Sequence, residues 1–225
     1  MGLSPSTVSQ DVNSLSSNPS SNPPSQVKHH HPENLDEAVK TFNVLRHLLP
    51  AELVLEILAL AEYWLETTAI RDDESIYNEV NYTERQPYLT SEPIPEGRLE
   101  EIRIDIWSHD QGWSSYRESY GTYENSWTWF ELGIESSERR TAIPFADPIR
   151  LATNVHAQRE AQHHRVVFQR QMNEPLMQAL QTGDRVSIIP LARFPGWRNT
   201  VEKASIQICT APILAKCDIF GHFMN

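Results

Sequence analysis

The stretch LEEIRIDIW, residues 99–107, repeats its pattern every two residues. Ile102, Ile104 and Ile106 alternate with charged side chains, which is typical of a β-strand with one face in a core and the other facing outward. The stretch TWFELGIE, residues 128–135, alternates in the same way. Both stretches therefore predict half-buried strands, and they decide the fold class.

Four further stretches indicate the same architecture. They have the composition of short strands, and turn signals such as QTGD and FPGW separate them without intervening helical patterns. The four are IRLATNV (149–155), HRVVF (164–168), DRVSIIPLA (184–192) and ASIQICTA (204–211). The sequence therefore predicts a mainly β fold, with a jelly-roll-like antiparallel β-sandwich over residues 99–212.

The chain before the sandwich changes its composition twice. Its first part is rich in Ser, Pro and Asn, which cannot bury enough apolar surface to offset chain entropy, so it is predicted to be disordered. The next part contains good helix formers and predicts two helices separated at Pro50, the second running to Trp64. The predicted boundaries are a disordered tail at 1–34, a short helical unit at 35–70, an acidic linker at 71–98 and a C-terminal tail at 213–225.

The charge and the apolar patterning exclude several classes of partner. A net charge of −11 argues against binding to nucleic acid or an anionic membrane, because both rely on clustered Lys and Arg. No apolar run is long enough to span a membrane, and no signal-peptide pattern begins the chain, so a cytoplasmic or nuclear location is predicted. Cys209 and Cys217 are predicted to be reduced thiols.

Signals of catalysis are weak. None of the common phosphate-binding or catalytic motifs occurs, so no cofactor and no metal are predicted. His109 beside Asp110 could form an acid/base pair, and His156 with His163 and His164 could contribute to a metal site, but neither spacing is specific. The chain is therefore not expected to be an enzyme.

The alternation also predicts where the tryptophans lie. If Phe130 and the three isoleucines face the core, three indoles of the two strands face outward. They either form a platform for a sugar ring or pack beneath the DQGW and FPGW loops at the end of the sandwich. The candidate ligand-binding residues are Trp107, Asp110, Gln111, Trp113, Trp127, Trp129, Arg193, Trp197 and Asn199.

Two glycine-containing loops belong to this prediction. Gly112 and Gly196 each precede a tryptophan and are expected to adopt turn conformations that a Cβ would disfavour. A binding site is expected in the loops around Asp110, Gln111 and Trp113 rather than on the sheet face.

Two groups of motifs resemble known proteins. HLLPAELVLEILALAEYW, residues 47–64, resembles the opening helix of an F-box, by which adaptor proteins dock onto Skp1 in SCF ubiquitin ligases. The segments SHDQGWSS, GTYENSWTWFE and GDRVSIIPLARFPGWRNTVEKASIQI are similar to a Trp-rich β-domain of uncharacterised fungal proteins, where it often follows such an LPxEL helix. The resemblance implies a β-sandwich without assigned chemistry and a Skp1-like partner that contacts Leu49, Pro50, Leu53 and Ile57.

Two functions from different classes are therefore expected. The first is a non-catalytic, adaptor-like recognition module whose β-domain binds a protein, and the second is a lectin-like carbohydrate-binding protein. The apolar surface of the second helix either docks a partner or packs across the sandwich.

Overall fold

The computed structural model describes residues 31–137 and 148–214, and its main body is a sandwich of two antiparallel sheets. Two helices precede the sandwich, and two shorter helices and one 3-10 turn lie in its connections. The helices are α1 (Leu35–Arg46), α2 (Ala51–Leu60), α3 (Val80–Glu84) and α4 (Glu174–Ala179). The strands are β1 (Leu65–Arg71), β2 (Ser75–Tyr77), β3 (Leu89–Thr90), β4 (Arg98–His109), β5 (Thr128–Glu135), β6 (Arg150–Thr153), β7 (Gln162–Gln169), β8 (Arg185–Ala192) and β9 (Asn199–Ala211).

Each sheet combines strands that are distant in sequence. The first sheet has the order β1-β9-β4-β7, and β2 pairs with one end of β9; the second has the order β3-β8-β5-β6. The strand pairs in both sheets are antiparallel. The mainly β, antiparallel sandwich predicted from the alternation is confirmed.

The core lies between the two sheets. Ile102, Ile104 and Ile106 are fully buried and oppose Phe130 and Ile188 of the other sheet within one apolar cluster. The inward positions predicted from the period of two are therefore correct, and their burial contributes to the apolar core that stabilises such a domain.

Part of the predicted domain organisation is wrong. Residues 65–98, assigned to the helical unit and the acidic linker, contribute β1, β2 and β3 to the sandwich. Strand β1 pairs along its whole length with β9, from Leu65 opposite Thr210 to Arg71 opposite Ala204. These strands were missed because β2 and β3 are very short and β1 carries few large apolar residues, so tertiary pairing decides their conformation.

The helical unit also differs from its prediction at both ends. Asn34, assigned to the disordered tail, caps α1 by accepting a hydrogen bond from the Glu37 N–H at 3.0 Å. Helix α2 ends at Leu60 instead of Trp64, because Glu62 adopts a left-handed conformation with φ of 50° and turns the chain into β1. Residues 1–30 of the predicted tail and Cys217 lie outside the described residues. None of the helices in the described part of the chain is long and apolar enough to cross a membrane.

The helices form a small core of their own. Ala38 and Phe42 of α1 pack against Val54 and Leu58 of α2, and Leu214, which follows β9, closes the cluster. Among residues 31–137 and 148–214, no side chain covers Leu53, Ile57 and Leu60 of α2 fully, and all three are exposed. Of the two alternatives for this surface, packing across the sandwich is not seen for these three residues.

Candidate functional site

Six of the nine predicted ligand-binding residues line two separate cavities. Asp110, Gln111 and Trp113 line a pocket of about 430 Å³ at one end of the sandwich, which we call the loop-end pocket. Trp127, Trp129 and Arg193 line a second cleft of about 400 Å³ on the outer face of the sheet that contains β5. The loop-end pocket is lined by Ile76, His109, Asp110, Gln111, Trp113, Arg159, Gly196, Arg198 and Thr200.

Asp110 holds the DQGW loop in place. Its side chain is fully buried, and its two carboxylate oxygens accept hydrogen bonds from the N–H groups of Gly112 at 2.7 Å and Ala157 at 2.6 Å. Burial raises the pKa of Asp110, against the opposing effect of these N–H groups and of His156 nearby. Asp110 therefore fixes the backbone and does not offer its carboxylate to a ligand.

His109 and Asp110 do not form the acid/base pair considered from the sequence. The His109 Nδ1 atom donates to the backbone oxygen of Asp110 at 2.7 Å, while the Asp110 carboxylate is occupied by backbone N–H groups. The proposed histidine metal site is also not assembled, because His163 stacks on Trp107 outside the sheet and His164 lies near Phe130 on the inner face.

Gly112 and Gln111 connect this loop to the other walls of the pocket. Gly112 has φ of +75°, and a Cβ at this position would lie 2.1 Å from Cγ of Arg159, so the glycine lets the arginine stem cross the loop. The Gln111 side chain accepts from the Arg198 N–H at 3.2 Å and donates to the Trp113 carbonyl at 2.8 Å. These contacts bring Arg159, Arg198 and Trp113 to one rim.

Trp113 is the most exposed of the tryptophans. It is 60% exposed, whereas the other five indoles are half-buried or buried. Among residues 31–137 and 148–214, Arg159 and Arg198 form no ion pair, so their guanidinium groups remain available beside the indole. The pocket thus combines an open aromatic face with hydrogen-bond donors.

The second cleft has a different character, and we call it the arginine–tryptophan cleft. It is lined by Tyr82, Arg85, Ser126, Trp127, Trp129, Glu131, Pro148, Arg150 and Arg193. Trp129 was predicted to face outward, and it does lie on the outer face, but only 6% of it is exposed. Arg150 covers its ring at 4.8 Å, Tyr82 packs edge-on at 5.9 Å, and its Nε1–H donates to Glu131 at 2.8 Å.

Trp127 in the same cleft is covered as well. Arg193 lies over its ring at 5.5 Å, and Phe194 packs edge-on at 4.9 Å. Both indoles of the cleft therefore use their faces for contacts within the molecule, and the sheet-face platform for a sugar is not formed.

Trp107 lies on the outer face of the other sheet. Its ring stacks on His163 at 4.2 Å, and the Lys203 ammonium lies 4.1 Å from the ring centre. His163 also bonds to Asp105; burial raises the pKa of Asp105, but the hydrogen bonds from Arg165 and His163 outweigh burial and leave that pKa below its ordinary value. This group has its partners within the sheet and is separate from both cavities.

Trp197 and Asn199 have structural roles. Trp197 packs edge-on against the fully buried His156 at a centroid distance of 5.3 Å. The neighbours of Trp197 in sequence, Gly196 and Arg198, line the loop-end pocket, whereas Trp197 does not. Asn199 is fully buried and donates to the backbone oxygens of Trp129 at 2.9 Å and Leu191 at 3.2 Å, so it links the two sheets.

The predicted partner residues of the helical unit are mostly open to solvent. Leu53 is 46% exposed and Ile57 is 43% exposed, and Pro50 is exposed at the start of α2. Leu49 is half-buried and packs against the cluster around Phe42. Leu48, before α2, and Leu60, at its end, are exposed as well.

Arg85, Arg150, Arg159 and Arg198 were not anticipated from the sequence. Each is an isolated basic residue without a motif, and only the fold brings it to a cavity. The single available signal was Gly112, whose missing side chain indicates the close approach of another group.

Comparisons with known proteins give limited information. No family model and no curated protein matches the chain. Among solved structures it is similar to a family two carbohydrate esterase from Cellvibrio japonicus, with 10% identity, a TM-score of 0.26 and coverage of 66% of this chain and 37% of that one. It is also similar to the Agl-KA catalytic domain, with 9% identity, a TM-score of 0.29 and coverage of 66% and 28%. Likenesses this weak carry no argument about function.

Proposed function

We propose that the protein is a non-catalytic recognition module and that its loop-end pocket binds a carbohydrate. The observation that carries this proposal is the open indole of Trp113 on a backbone fixed by Asp110 and Gln111. A sugar presents an apolar C–H face that stacks on an indole, while its hydroxyl groups accept from donors such as Arg159 and Arg198.

The pocket is preorganised for such a ligand. The Asp110 bonds, the Gln111 bridge and the positive φ of Gly112 hold the loop without a ligand, so binding needs little additional ordering. Charged carboxylates that could act on a substrate are absent from its open surface within the described residues, because Asp110 is buried and engaged. The arrangement favours binding over catalysis.

Replacing Trp113 with Ala is expected to separate binding from stability. Loss of the stacking surface should weaken carbohydrate binding by about tenfold, because an aromatic stack contributes roughly 1 kcal/mol beyond its buried area. The free energy of unfolding should change by less than about 0.5 kcal/mol, since the ring is exposed. Titration calorimetry with oligosaccharides selected on a glycan array, together with urea unfolding, measures both quantities. Binding that is unchanged in this variant, or an array without any bound glycan, would contradict the proposal.

A second candidate function is docking of the helical unit onto a Skp1-like adaptor protein. The observation that favours it is the exposed apolar surface of α2 around Leu53 and Ile57, next to Leu48 and Leu60. An amphipathic helix with such residues exposed is suited to insertion into an apolar groove of a partner. In this arrangement the sandwich would recognise a ligand while the helices attach the protein to a larger assembly.

Substitutions on opposite sides of α2 test the docking function. Leu53→Asp and Ile57→Asp are expected to leave the unfolding midpoint almost unchanged and to abolish binding to purified Skp1, because both side chains are open to solvent. Val54→Asp is the matched control: it places a charge in the buried cluster with Phe42 and should unfold the helical unit. The parent protein failing to bind Skp1 in surface plasmon resonance would refute the docking function.

A further inference from the structure

We propose that the arginine–tryptophan cleft is a second binding site, independent of the loop-end pocket, and that it binds an acidic peptide segment of a partner protein. Its walls come from α3, β5, β6 and Arg193, the residue after β8, so it lies on the outer face of one sheet. The proposal rests on the arginines of this cleft and does not require that the loop-end pocket binds a carbohydrate.

The cleft holds two guanidinium groups against aromatic rings. Arg150 lies 4.8 Å from the ring centre of Trp129, and Arg193 lies 5.5 Å from that of Trp127 and 5.4 Å from that of Phe194. A guanidinium group has five N–H donors, so one that packs against an aromatic ring can still bind a carboxylate. The aromatic rings therefore hold both arginines within the cleft, where a charged ligand can reach them.

The positive charge of the cleft is not neutralised by its own residues. Glu131 is the single carboxylate in the lining, and it is already bound by Arg85 and by the Trp129 Nε1–H. Within the described part of the chain, Arg150 and Arg193 have no carboxylate partner. On a protein with a net charge of −11, two unpaired guanidinium groups in one cavity are suited to an anionic group.

The surroundings favour a peptide over a sugar as the source of that anion. The faces of Trp127 and Trp129 are covered by arginine and aromatic side chains, so they are closed to stacking of a sugar ring. Arg150 belongs to β6, which is the edge strand of its sheet because, among the described residues, it pairs only with β5. The cleft, whose lining includes Pro148 and Arg150, therefore reaches this edge. An extended peptide can pair with this edge while its acidic side chains reach the guanidinium groups.

Fluorescence polarisation with two labelled peptides tests the proposal on the full-length protein. One peptide alternates Glu and Val, and the other has Gln in place of every Glu. We expect the Glu peptide to bind at least about tenfold more tightly, and we expect Arg150→Gln and Arg193→Gln each to weaken it by about fivefold, as the loss of one charged contact implies. Arg150→Lys should restore only part of the affinity, because an ammonium group lacks the planar fork. Arg159→Gln, in the loop-end pocket, should bind the peptide like the parent protein.

Three outcomes of the peptide-binding experiment would overturn the proposal. Equal affinity for the two peptides would show that carboxylates are not recognised, and unchanged binding in both Arg→Gln variants would place the peptide elsewhere. Displacement of the peptide by polygalacturonate, with polygalacturonate binding itself lost in Arg193→Gln, would identify an acidic saccharide as the ligand. Far-UV circular dichroism of each variant checks folding, and Arg193→Gln is the safer variant because Arg193 is an exposed residue over a half-buried ring.

Discussion

Trp129→Ala is expected to lower the free energy of unfolding by about 3–5 kcal/mol, the usual cost of removing a buried aromatic side chain. The indole is 6% exposed and packs with Ile189 and Leu191 in a small cluster on the outer face of the sheet. A loss of this size is a large part of the total stability of a domain, which is typically about 5–15 kcal/mol.

The loss has two physical parts. Removing the ring opens a cavity between Ile189, Tyr82 and Arg150, whose side chains all contact it or its edge. The substitution also removes the Nε1–H that donates to Glu131, so within the described part of the chain this buried carboxylate keeps Arg85 as its one side-chain partner. Trp129→Phe should retain most of the packing and lose mainly the hydrogen bond, so an intermediate loss is expected.

Urea unfolding of Trp129→Ala beside Trp113→Ala provides the comparison. The two substitutions delete the same side chain, and they differ in burial, 6% against 60% exposed. Similar losses of stability in both variants would contradict the assignment of Trp129 as a packed residue and Trp113 as an open one. Acrylamide quenching of the parent protein should likewise detect a single accessible indole, and its accessibility should disappear in Trp113→Ala.

The sandwich could be predicted because its long strands carry a strict period of two. Ile102, Ile104 and Ile106 fill the core, and their spacing is visible without any knowledge of the partners. The three strands between residues 65 and 98 could not be predicted in this way. Their conformation depends on pairing with β8 and β9, which lie between 97 (Thr90 to Ser187) and 145 (Leu65 to Thr210) residues later in the chain, and local propensity is weak where strands are so short.

The candidate sites were predictable only in part. The DQGW loop was a candidate site from the sequence, because a tryptophan beside a glycine in a polar loop is a local signal, and in the structure this loop lines a pocket. The alternation predicted which face of the sheet an indole occupies, but it did not predict how exposed the indole is. Trp129 faces outward as expected and is nevertheless covered by Arg150, which approaches from another strand. Contacts between distant side chains on an outer face leave no period in the sequence.

Asn199 illustrates the same limit more clearly. It was a ligand candidate because it follows PGWR in an apparent loop, and the structure places it at the start of β9 in the interior. A short polar residue is usually exposed, so burial of an asparagine requires a complete set of partners that only the fold can supply. Its backbone partners, the carbonyl oxygens of Trp129 and Leu191, are in the other sheet.

Asn154 is the centre of this buried polar network. Its amide group donates to Thr128 at 3.0 Å and to Asn199 at 2.9 Å, and its carbonyl oxygen accepts from Ser108 at 2.7 Å. Ser108 and Asn199 belong to one sheet, whereas Thr128 belongs to the other. One side chain thus connects both layers through three hydrogen bonds in a site closed to water.

Asn154→Ala is expected to cost about 3–5 kcal/mol in the free energy of unfolding, because three buried polar groups lose a partner at once and none can reach solvent. Ser108→Ala removes one of the three bonds and should cost about 1–2 kcal/mol, while Thr153→Ala, at the half-buried neighbouring position, should be close to neutral. Hydrogen exchange of the amides of β5 and β9 in the same variants should show that Asn154→Ala loosens both sheets together. If Asn154→Ala lowers the free energy of unfolding no more than Ser108→Ala does, water must replace the missing side chain. The network would then not be what holds the two sheets in register.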